Sequence, residues 1–189
     1  MSGLVLPFNG IMPKIHPNAF IAESATIIGD VEIGEGSSVW YGCVLRGDVN
    51  RIRVGKETNI QDGTVVHCNH DRAGDYRETG GGVATIIGDC VTIGHMALIH
   101  ACTLEDECFV GMRAVVMDLA VVESRAMVAA GALVSPGKKV GSRELWAGMP
   151  AKFRREMTSD DLSEIDYLAK SYRKLAAEYL AGAASPASV

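Results

Sequence analysis

Three histidines in this 189-residue chain, His67, His95 and His100, are the side chains best suited to bind a metal ion. Residues 94–100 read Gly-His-Met-Ala-Leu-Ile-His, and His67 precedes them after a long interruption. Three neutral imidazoles that leave a fourth position open to water describe a catalytic site of the zinc type. The alternative is that each histidine is merely solvated at the surface. The elements that position the three side chains decide between these interpretations.

A six-residue repeat of branched aliphatic residues supplies those elements. Its eighteen positions, all Ile, Val or Leu, are Ile21, Ile27, Ile33, Val39, Leu45, Val54, Ile60, Val66, Ile87, Ile93, Ile99, Leu104, Val110, Val116, Val122, Val128, Val134 and Val140. A period of six drifts around an α-helix, whereas a short β-strand and a turn every six residues can repeat it. Glycines that follow the repeat, as in Ile93-Gly94, suit corners that need a positive φ. The sequence therefore predicts a mainly β fold in residues 1–157, a parallel β-helix of about six triangular coils.

The interruption between Val66 and Ile87 fixes where the histidines point. We expect a loop insertion at about residues 67–86, so that Ile99 lies one full coil after Val66. His67 and His100 then follow stacked core residues, and both point out of the same face. His95 belongs to the preceding face, and one subunit cannot easily bring it to the other two. A symmetric homotrimer can do so, with His95 of one chain meeting His67 and His100 of the next.

Polar residues cluster before His67, in Arg46-Gly47-Asp48 and Asn59-Ile60-Gln61-Asp62. Burying an unpaired charge is costly, so an interface there needs matched ions, and we expect Arg46 to pair with Asp62 between subunits. Gln61 is a candidate for orienting a metal-bound water. His16 and His70 are expected to be solvated, with a proton shuttle as the second interpretation for His70.

The remainder of the chain predicts a helix and a tail. Thr158-x-x-Asp161 resembles a capping box and begins a helix at residues 158–182 that packs on the β-helix. Its apolar face comprises Leu162, Ile165, Leu168, Tyr172, Leu175 and Tyr179. Residues 183–189 are small and polar, and we expect them to be disordered.

Composition narrows the function classes. A net charge of −5 without a basic run argues against nucleic-acid binding. No stretch predicts a signal peptide or a membrane span, so no membrane partner is expected. Five cysteines without Cys-x-x-Cys pairing favour reduced thiols and a cytoplasmic location.

The histidine motifs and their polar neighbours together resemble γ-class carbonic anhydrases over essentially the whole chain. The repeat resembles the hexapeptide-repeat (isoleucine-patch) family, whose members form left-handed triangular β-helices, commonly as trimers. The resemblance implies that Zn²⁺ or Fe²⁺ is bound by His67 and His100 of one chain and His95 of its neighbour. It also implies an inter-subunit pair of Arg46 with Asp62, a glutamine near the metal water at Gln61, and support from Asp48 and Asn59. The implied reaction is reversible hydration of CO₂ to bicarbonate by a metal-bound hydroxide.

Two segments depart from that family pattern. Active members carry a glutamate where this chain has Val49-Asn50, and an acidic loop where residues 68–78 are shorter and mixed in sign. His70 or Tyr172 are candidates to replace those proton-transfer groups. The rival functions are a CoA-dependent acyltransferase, which residues 146–152 also resemble, a metal-dependent acyl-CoA thioesterase, and a non-catalytic metal-binding or assembly subunit.

Overall fold

Stacked short strands build the molecule, followed by one long helix. The computed structural model describes residues 3–184. Its strands are β1 (Leu4–Leu6), β2 (Lys14–Ile15), β3 (Phe20–Ile21), β4 (Thr26–Ile33), β5 (Ser38–Val39), β6 (Val44–Val54), β7 (Asn59–Ile60), β8 (Val65–His67), β9 (Thr85–Ile87), β10 (Thr92–Ile93), β11 (Leu98–His100), β12 (Thr103–Leu104), β13 (Phe109–Val110), β14 (Val115–Val116), β15 (Val121–Val122), β16 (Met127–Val128), β17 (Leu133–Val134), β18 (Lys139–Val140), β19 (Glu144–Ala147) and β20 (Lys152–Glu156). Its helices are α1 (Tyr76–Thr79) and α2 (Ser159–Ala184).

Three stacks of inward-pointing residues form the core of a parallel β-helix, as the repeat predicts. The first stack lies behind the face that α2 covers, here the helix-covered face, and comprises Ile21, Val39, Ile60, Ile93, Val110, Val128 and Trp146. The second lies behind the face bearing His67 and His100, here the histidine face, and comprises Val5, Ile27, Leu45, Val66, Ile99, Val116 and Val134. The third comprises Ile15, Ile33, Val54, Ile87, Leu104, Val122 and Val140. Because nearly all these side chains are fully buried, the repeat is the core.

The prediction of about six coils is too low. Each stack has seven members. The sheet of the helix-covered face adds an eighth strand, β20, which runs antiparallel to β19, so the structure has about eight levels. At the N-terminal end, Val5 and Ile15 pair with Ile27 and Ile33, so two strands precede Ile21, the first position of the predicted repeat. At the other end Trp146 continues the six-residue spacing with an aromatic residue, which a search for branched aliphatics misses.

The two insertions in the repeat lie beside the histidine face. Gly47 pairs with Gly29 and Ile52 with Val31, so the three extra residues after Leu45 bulge out of β6 before Ile52. The longer break is a loop between β8 and β9, the insertion loop (residues 68–84), which contains α1. Backbone hydrogen bonds between Asn69 and Val83 close its neck.

The glycines that follow core residues serve a different purpose from the one predicted. Gly94 has no positive φ, and left-handed backbone occurs two residues later, at Met96 (φ 60°). A Cβ added to Gly94 would lie 2.6 Å from the backbone N of Met112 on the next coil. Gly94 is therefore needed for close approach between coils, immediately before His95.

Helix α2 packs along the helix-covered face. The capping box is present: the Thr158 backbone N–H donates to Asp161 Oδ2 (2.7 Å), and Asp161 N–H donates to Thr158 Oγ1 (3.2 Å). Leu162 and Ile165 pack near Met157. Leu175, which was predicted on the apolar face, is 40% exposed, and its neighbour Ala176 is buried instead. The helix ends at Ala184, and residues 185–189 of the predicted tail lie outside the described residues. Over residues 3–184, no helix is both long and apolar enough to cross a membrane.

Candidate metal site

His67 and His100 are direct neighbours on adjacent coils. The strand register pairs His67 with His100, and their ring centroids lie 5.3 Å apart. His67 Nδ1 faces His100 Nε2 at 3.3 Å. The buried Thr85 hydroxyl supports this pair, because it donates to the His67 carbonyl and accepts from Ala101 N–H (2.9 Å).

An aspartate fixes the tautomer of each of these two rings. His67 Nε2 lies 3.0 Å from Asp48 Oδ1, and His100 Nδ1 lies 2.6 Å from Asp118 Oδ1. An ionised carboxylate only accepts hydrogen bonds, so each of these outer nitrogens carries its ring's proton. The two facing nitrogens therefore both present lone pairs, which repel unless a cation lies between them.

The same geometry fits two ligands of a tetrahedral metal ion. Metal–nitrogen bonds of about 2.0–2.1 Å at a tetrahedral angle place neighbouring ligand nitrogens about 3.3–3.4 Å apart. His67 Nδ1 and His100 Nε2 are 3.3 Å apart. The donor set, two neutral imidazoles with carboxylates on their outer nitrogens, is typical of zinc and ferrous sites.

Burial keeps these groups in the charge states that a metal site requires. Burial lowers the pKa of His67, against the opposing effect of the hydrogen bond that His67 donates to Asp48. Burial alone would raise the pKa of Asp48, but hydrogen bonds from Arg46 and His67 outweigh it and the pKa is lowered. The pKa of Asp118 is lowered in the same way by His100 and Asn69, again against burial. A neutral His67 beside ionised aspartates follows, and metal ligands must be deprotonated.

His95 lies on the adjoining helix-covered side, as the repeat predicts. Its Nδ1 is 2.8 Å from Asp62 Oδ2, which leaves Nε2 as the lone-pair nitrogen, 3.3 Å from the Tyr172 hydroxyl. The His95 side chain is 40% exposed, against 17% for His67. Within residues 3–184 of one chain, no three metal-ligating side chains converge. A single chain thus offers a pair of ligands on one face and a third, accessible one on the next.

The remaining predicted residues fall into two groups. Asn59 and Gln61 lie buried on the helix-covered face, where Gln61 Nε2 donates to Asn59 Oδ1 (3.1 Å). Arg46 pairs with Asp48 (2.5 Å) in the same chain, and Asp62 pairs with His95, so their pairing with each other stays a prediction about the assembly. His70 is exposed and shares a cavity of about 260 Å³ with Asp48.

Sequence reasoning missed Asp118, Asn69 and the role of Asn50. Asp118 follows His100 by eighteen residues, one coil, so the count that stacked the histidines would also have found it. Asn50 belongs to the Val49-Asn50 stretch, where the resemblance implies a glutamate in active members. It is 3% exposed and donates to the backbone carbonyls of Asn69 (3.2 Å) and Gly81 (3.3 Å). The chain uses this position to hold the insertion loop.

The five cysteines take no part in the site. All five lie in the described part of the chain and are free thiols. Burial raises the pKa of Cys43 to about 11 and that of Cys68 to about 12, so both remain protonated at neutral pH. A protonated thiol is a poor nucleophile and a poor metal ligand.

Comparison with known proteins identifies relatives of this arrangement. The family described as "Bacterial transferase hexapeptide (six repeats)" matches residues 12–47. The chain is 52% identical over 164 residues to "Gamma carbonic anhydrase 2, mitochondrial" of Arabidopsis thaliana, covering 87% of this chain. It spans only 57% of that relative's length. It is 36% identical to "Carbonic anhydrase" of Geobacillus kaustophilus, covering 89% of this chain and 87% of that protein.

A solved structure agrees with the sequence relatives. The hexapeptide transferase family protein from Anaplasma phagocytophilum matches with a TM-score of 0.84 at 49% identity, covering 93% of this chain and 98% of that one. The carbonic anhydrase relatives match at 52% and 36% identity over most of the chain. This chain belongs to the γ-class carbonic anhydrase family of hexapeptide-repeat proteins.

Proposed function

We propose that this chain is the subunit of a homotrimeric, metal-dependent carbonic anhydrase that interconverts CO₂ and bicarbonate. One observation carries the proposal: the lone pairs of His67 Nδ1 and His100 Nε2 face each other at 3.3 Å, with aspartates on both outer nitrogens. This arrangement is stable when a cation lies between the rings. Family membership supports CO₂ as the substrate.

The third ligand comes from a neighbouring subunit in this proposal. His95 is accessible and is already held in one tautomer by Asp62, so its Nε2 is free to bind once Tyr172 is displaced or turned. The histidine face supports such an assembly, because Val65 (38% exposed) and Leu98 (37% exposed) flank the histidines with apolar surface. Helix α2 packs on β3, β5, β7 and β10, which are strands of the helix-covered face rather than of the histidine face.

Zinc or ferrous iron, when bound, acts as a Lewis acid that lowers the pKa of its water toward about 7. The chain's own residues bind the ion and orient the ligands: Asp48 and Asp118 hold His67 and His100, and Asp62 holds His95. Gln61 donates to Asn59 and lies next to Asp62, the partner of His95. It would therefore enter the neighbouring subunit's site together with His95, and it is the proposed polar contact to the reacting water.

Proton export is assigned to the cavity between β6 and the insertion loop. Asp48 and His70 line this cavity of about 260 Å³, and His70 is exposed at its edge. An imidazole can both accept and release a proton, which suits the transfer of a proton to buffer. His70→Ala is therefore expected to slow turnover only at low buffer concentration, with rescue by added imidazole.

The proposed location stays cytoplasmic. Two relatives in Arabidopsis thaliana are named as mitochondrial.

The test combines metal content with turnover. Purified protein is expected to contain about one ion per chain as a trimer, and His67→Ala and His95→Ala are each expected to lose it, since both ligands belong to one site. CO₂ hydration by zinc- and iron-loaded protein is then compared with His100→Ala. A metal-free trimer, or hydration no faster than in His100→Ala, would refute the proposal. Acyl-CoA hydrolysis or acyl transfer by the same samples would identify the rival activities.

A further inference from the structure

A series of hydrogen bonds connects His100 to the insertion loop through two residues that were not predicted to belong to the site. Asp118 Oδ1 lies 2.6 Å from His100 Nδ1, and Asp118 Oδ2 accepts from Asn69 Nδ2 at 2.6 Å. The Asp118 side chain is 24% exposed, so both contacts are shielded from much of the solvent. One carboxylate thus holds a ring on β11 and an amide at the start of the loop.

Asn69 is also the residue that closes the neck of that loop. Its backbone N–H donates to the Val83 carbonyl (2.8 Å), and Val83 N–H donates back to the Asn69 carbonyl (3.0 Å). The buried Asn50 amide donates to the same Asn69 carbonyl (3.2 Å). Opening the neck would therefore displace the Asn69 side chain from Asp118.

We propose that Asp118 and Asn69 are positioning residues that fix the Nδ1-protonated tautomer of His100 and couple metal binding to closure of the insertion loop. The inference rests on the proposed function only in that the ion at His100 is the catalytic metal. Asp118 acts through His100 and does not touch the ion. The loop neck acts through Asp118.

Coupling of this kind is reciprocal. If a closed neck holds His100 for the metal, then bound metal must favour the closed neck by the same factor. Removal of a residue that orients a metal-bound histidine typically weakens metal affinity by about 10–100-fold. Both effects are measurable without reference to catalysis.

The first test is a double-variant cycle on zinc affinity, measured by chelator competition on the full chain. Asp118→Asn still offers an oxygen to His100 but turns an NH₂ group toward the Asn69 NH₂ group, so affinity is expected to fall about 10–100-fold. Asn69→Asp places two carboxylates together and is also expected to weaken binding. The double variant Asp118→Asn/Asn69→Asp restores a donor opposite an acceptor at unchanged net charge, and most of the affinity is expected to return.

The matched control is Glu164→Gln, the same carboxylate-to-amide change at an exposed position on α2. Zinc affinity equal to wild type is expected there. A purely structural role for Asp118 would lower the thermal unfolding midpoint without rescue of affinity in the double variant. That outcome, or wild-type affinity in Asp118→Asn, overturns the inference.

The second test measures the loop neck directly. Hydrogen exchange of the Val83 amide is expected to slow when zinc is added to wild type and to be insensitive to zinc in Asn69→Ala. Equal protection with and without zinc in wild type overturns the coupling. Failure of the proposed function is distinguishable, because wild type would then bind zinc no better than His67→Ala.

Discussion

Carboxylates decide which nitrogen of each candidate ligand remains free. His67 presents Nδ1 because Asp48 holds Nε2, whereas His95 and His100 present Nε2 because Asp62 and Asp118 hold Nδ1. A histidine without such a partner divides its population between tautomers, and only one of them can bind. In the proposed site, the aspartates would therefore raise metal affinity without being ligands.

Replacing Asp48 separates orientation from proton competition. Asp48→Asn is expected to weaken metal binding at neutral pH by about 10–100-fold, because the ring of His67 is no longer held. Burial and the charge of Arg46 lower the pKa of His67, whereas Asp48 opposes them. Loss of Asp48 therefore lowers that pKa further, so protons compete with the metal only at lower pH. Zinc affinity should be measured between about pH 5 and 8 for both proteins, each relative to its own plateau at high pH. The pH at which the affinity falls is expected to be lower in the variant than in wild type. A fall at higher pH in the variant would contradict this explanation.

The lowered pKa of His67 also makes the free energy of unfolding of the metal-free protein depend on pH. With the pKa of His67 below its unfolded value of about 6.5, the unfolded chain binds more protons than the folded state in the interval between the two values. The contribution of His67 to the free energy of unfolding is thus complete above about pH 6.5 and is lost as the pH falls through that interval.

At the scale of elements, the breaks in the coil build the site as much as the coils do. The bulge in β6 brings Asp48 to His67, and the insertion loop supplies Asn69 and the cavity at His70. The stacking of His67 on His100 could be predicted, since it follows from counting hexads across one insertion. The hydrogen bonds of Asn50 and Asn69 could not, because irregular backbone has no period from which side-chain partners can be counted.

Gly94 gives an element-scale prediction. A Cβ at this position would lie 2.6 Å from the Met112 backbone N, so Gly94→Ala must push two coils apart. We expect the free energy of unfolding to fall by about 1–3 kcal/mol, the usual cost of overpacking, measured by urea denaturation. Metal affinity should fall as well, because His95 is the next residue.

Gly182 provides the control for this substitution. It lies in α2 without a positive φ, and an added Cβ would meet no atom of the described residues within 4 Å beyond its own helix backbone, so Gly182→Ala should be neutral or stabilising. If Gly94→Ala is as stable as wild type, the coils tolerate separation and the steric account is wrong.

The whole molecule divides its faces between two uses. The helix-covered face is occupied by α2, where Trp40 packs on Tyr172 with ring centroids 5.5 Å apart. The histidine face carries both stacked candidate ligands, and beside them Val65 (38% exposed) and Leu98 (37% exposed) present apolar surface in the single chain. Because one chain offers two ligands here and the third on the adjoining side, a complete three-histidine site requires a second copy. The fold class could be predicted from the sequence because all three stacks repeat with one period. The subunit assembly does not follow from that period and has to be tested on the assembled protein.

A charge on the histidine face should therefore remove metal without altering a ligand. Leu98 lies on β11, two residues before His100, and is 37% exposed in the single chain; Leu175 on α2 is 40% exposed. In a trimer that buries the histidine face, Leu98→Asp leaves a buried unpaired carboxylate, which costs several kcal/mol per ion. Sedimentation velocity with metal analysis is expected to show a metal-depleted monomer for Leu98→Asp and a metal-loaded trimer for Leu175→Asp. Retention of both trimer and metal in Leu98→Asp would mean that subunits meet elsewhere and that His95 cannot reach the neighbouring pair.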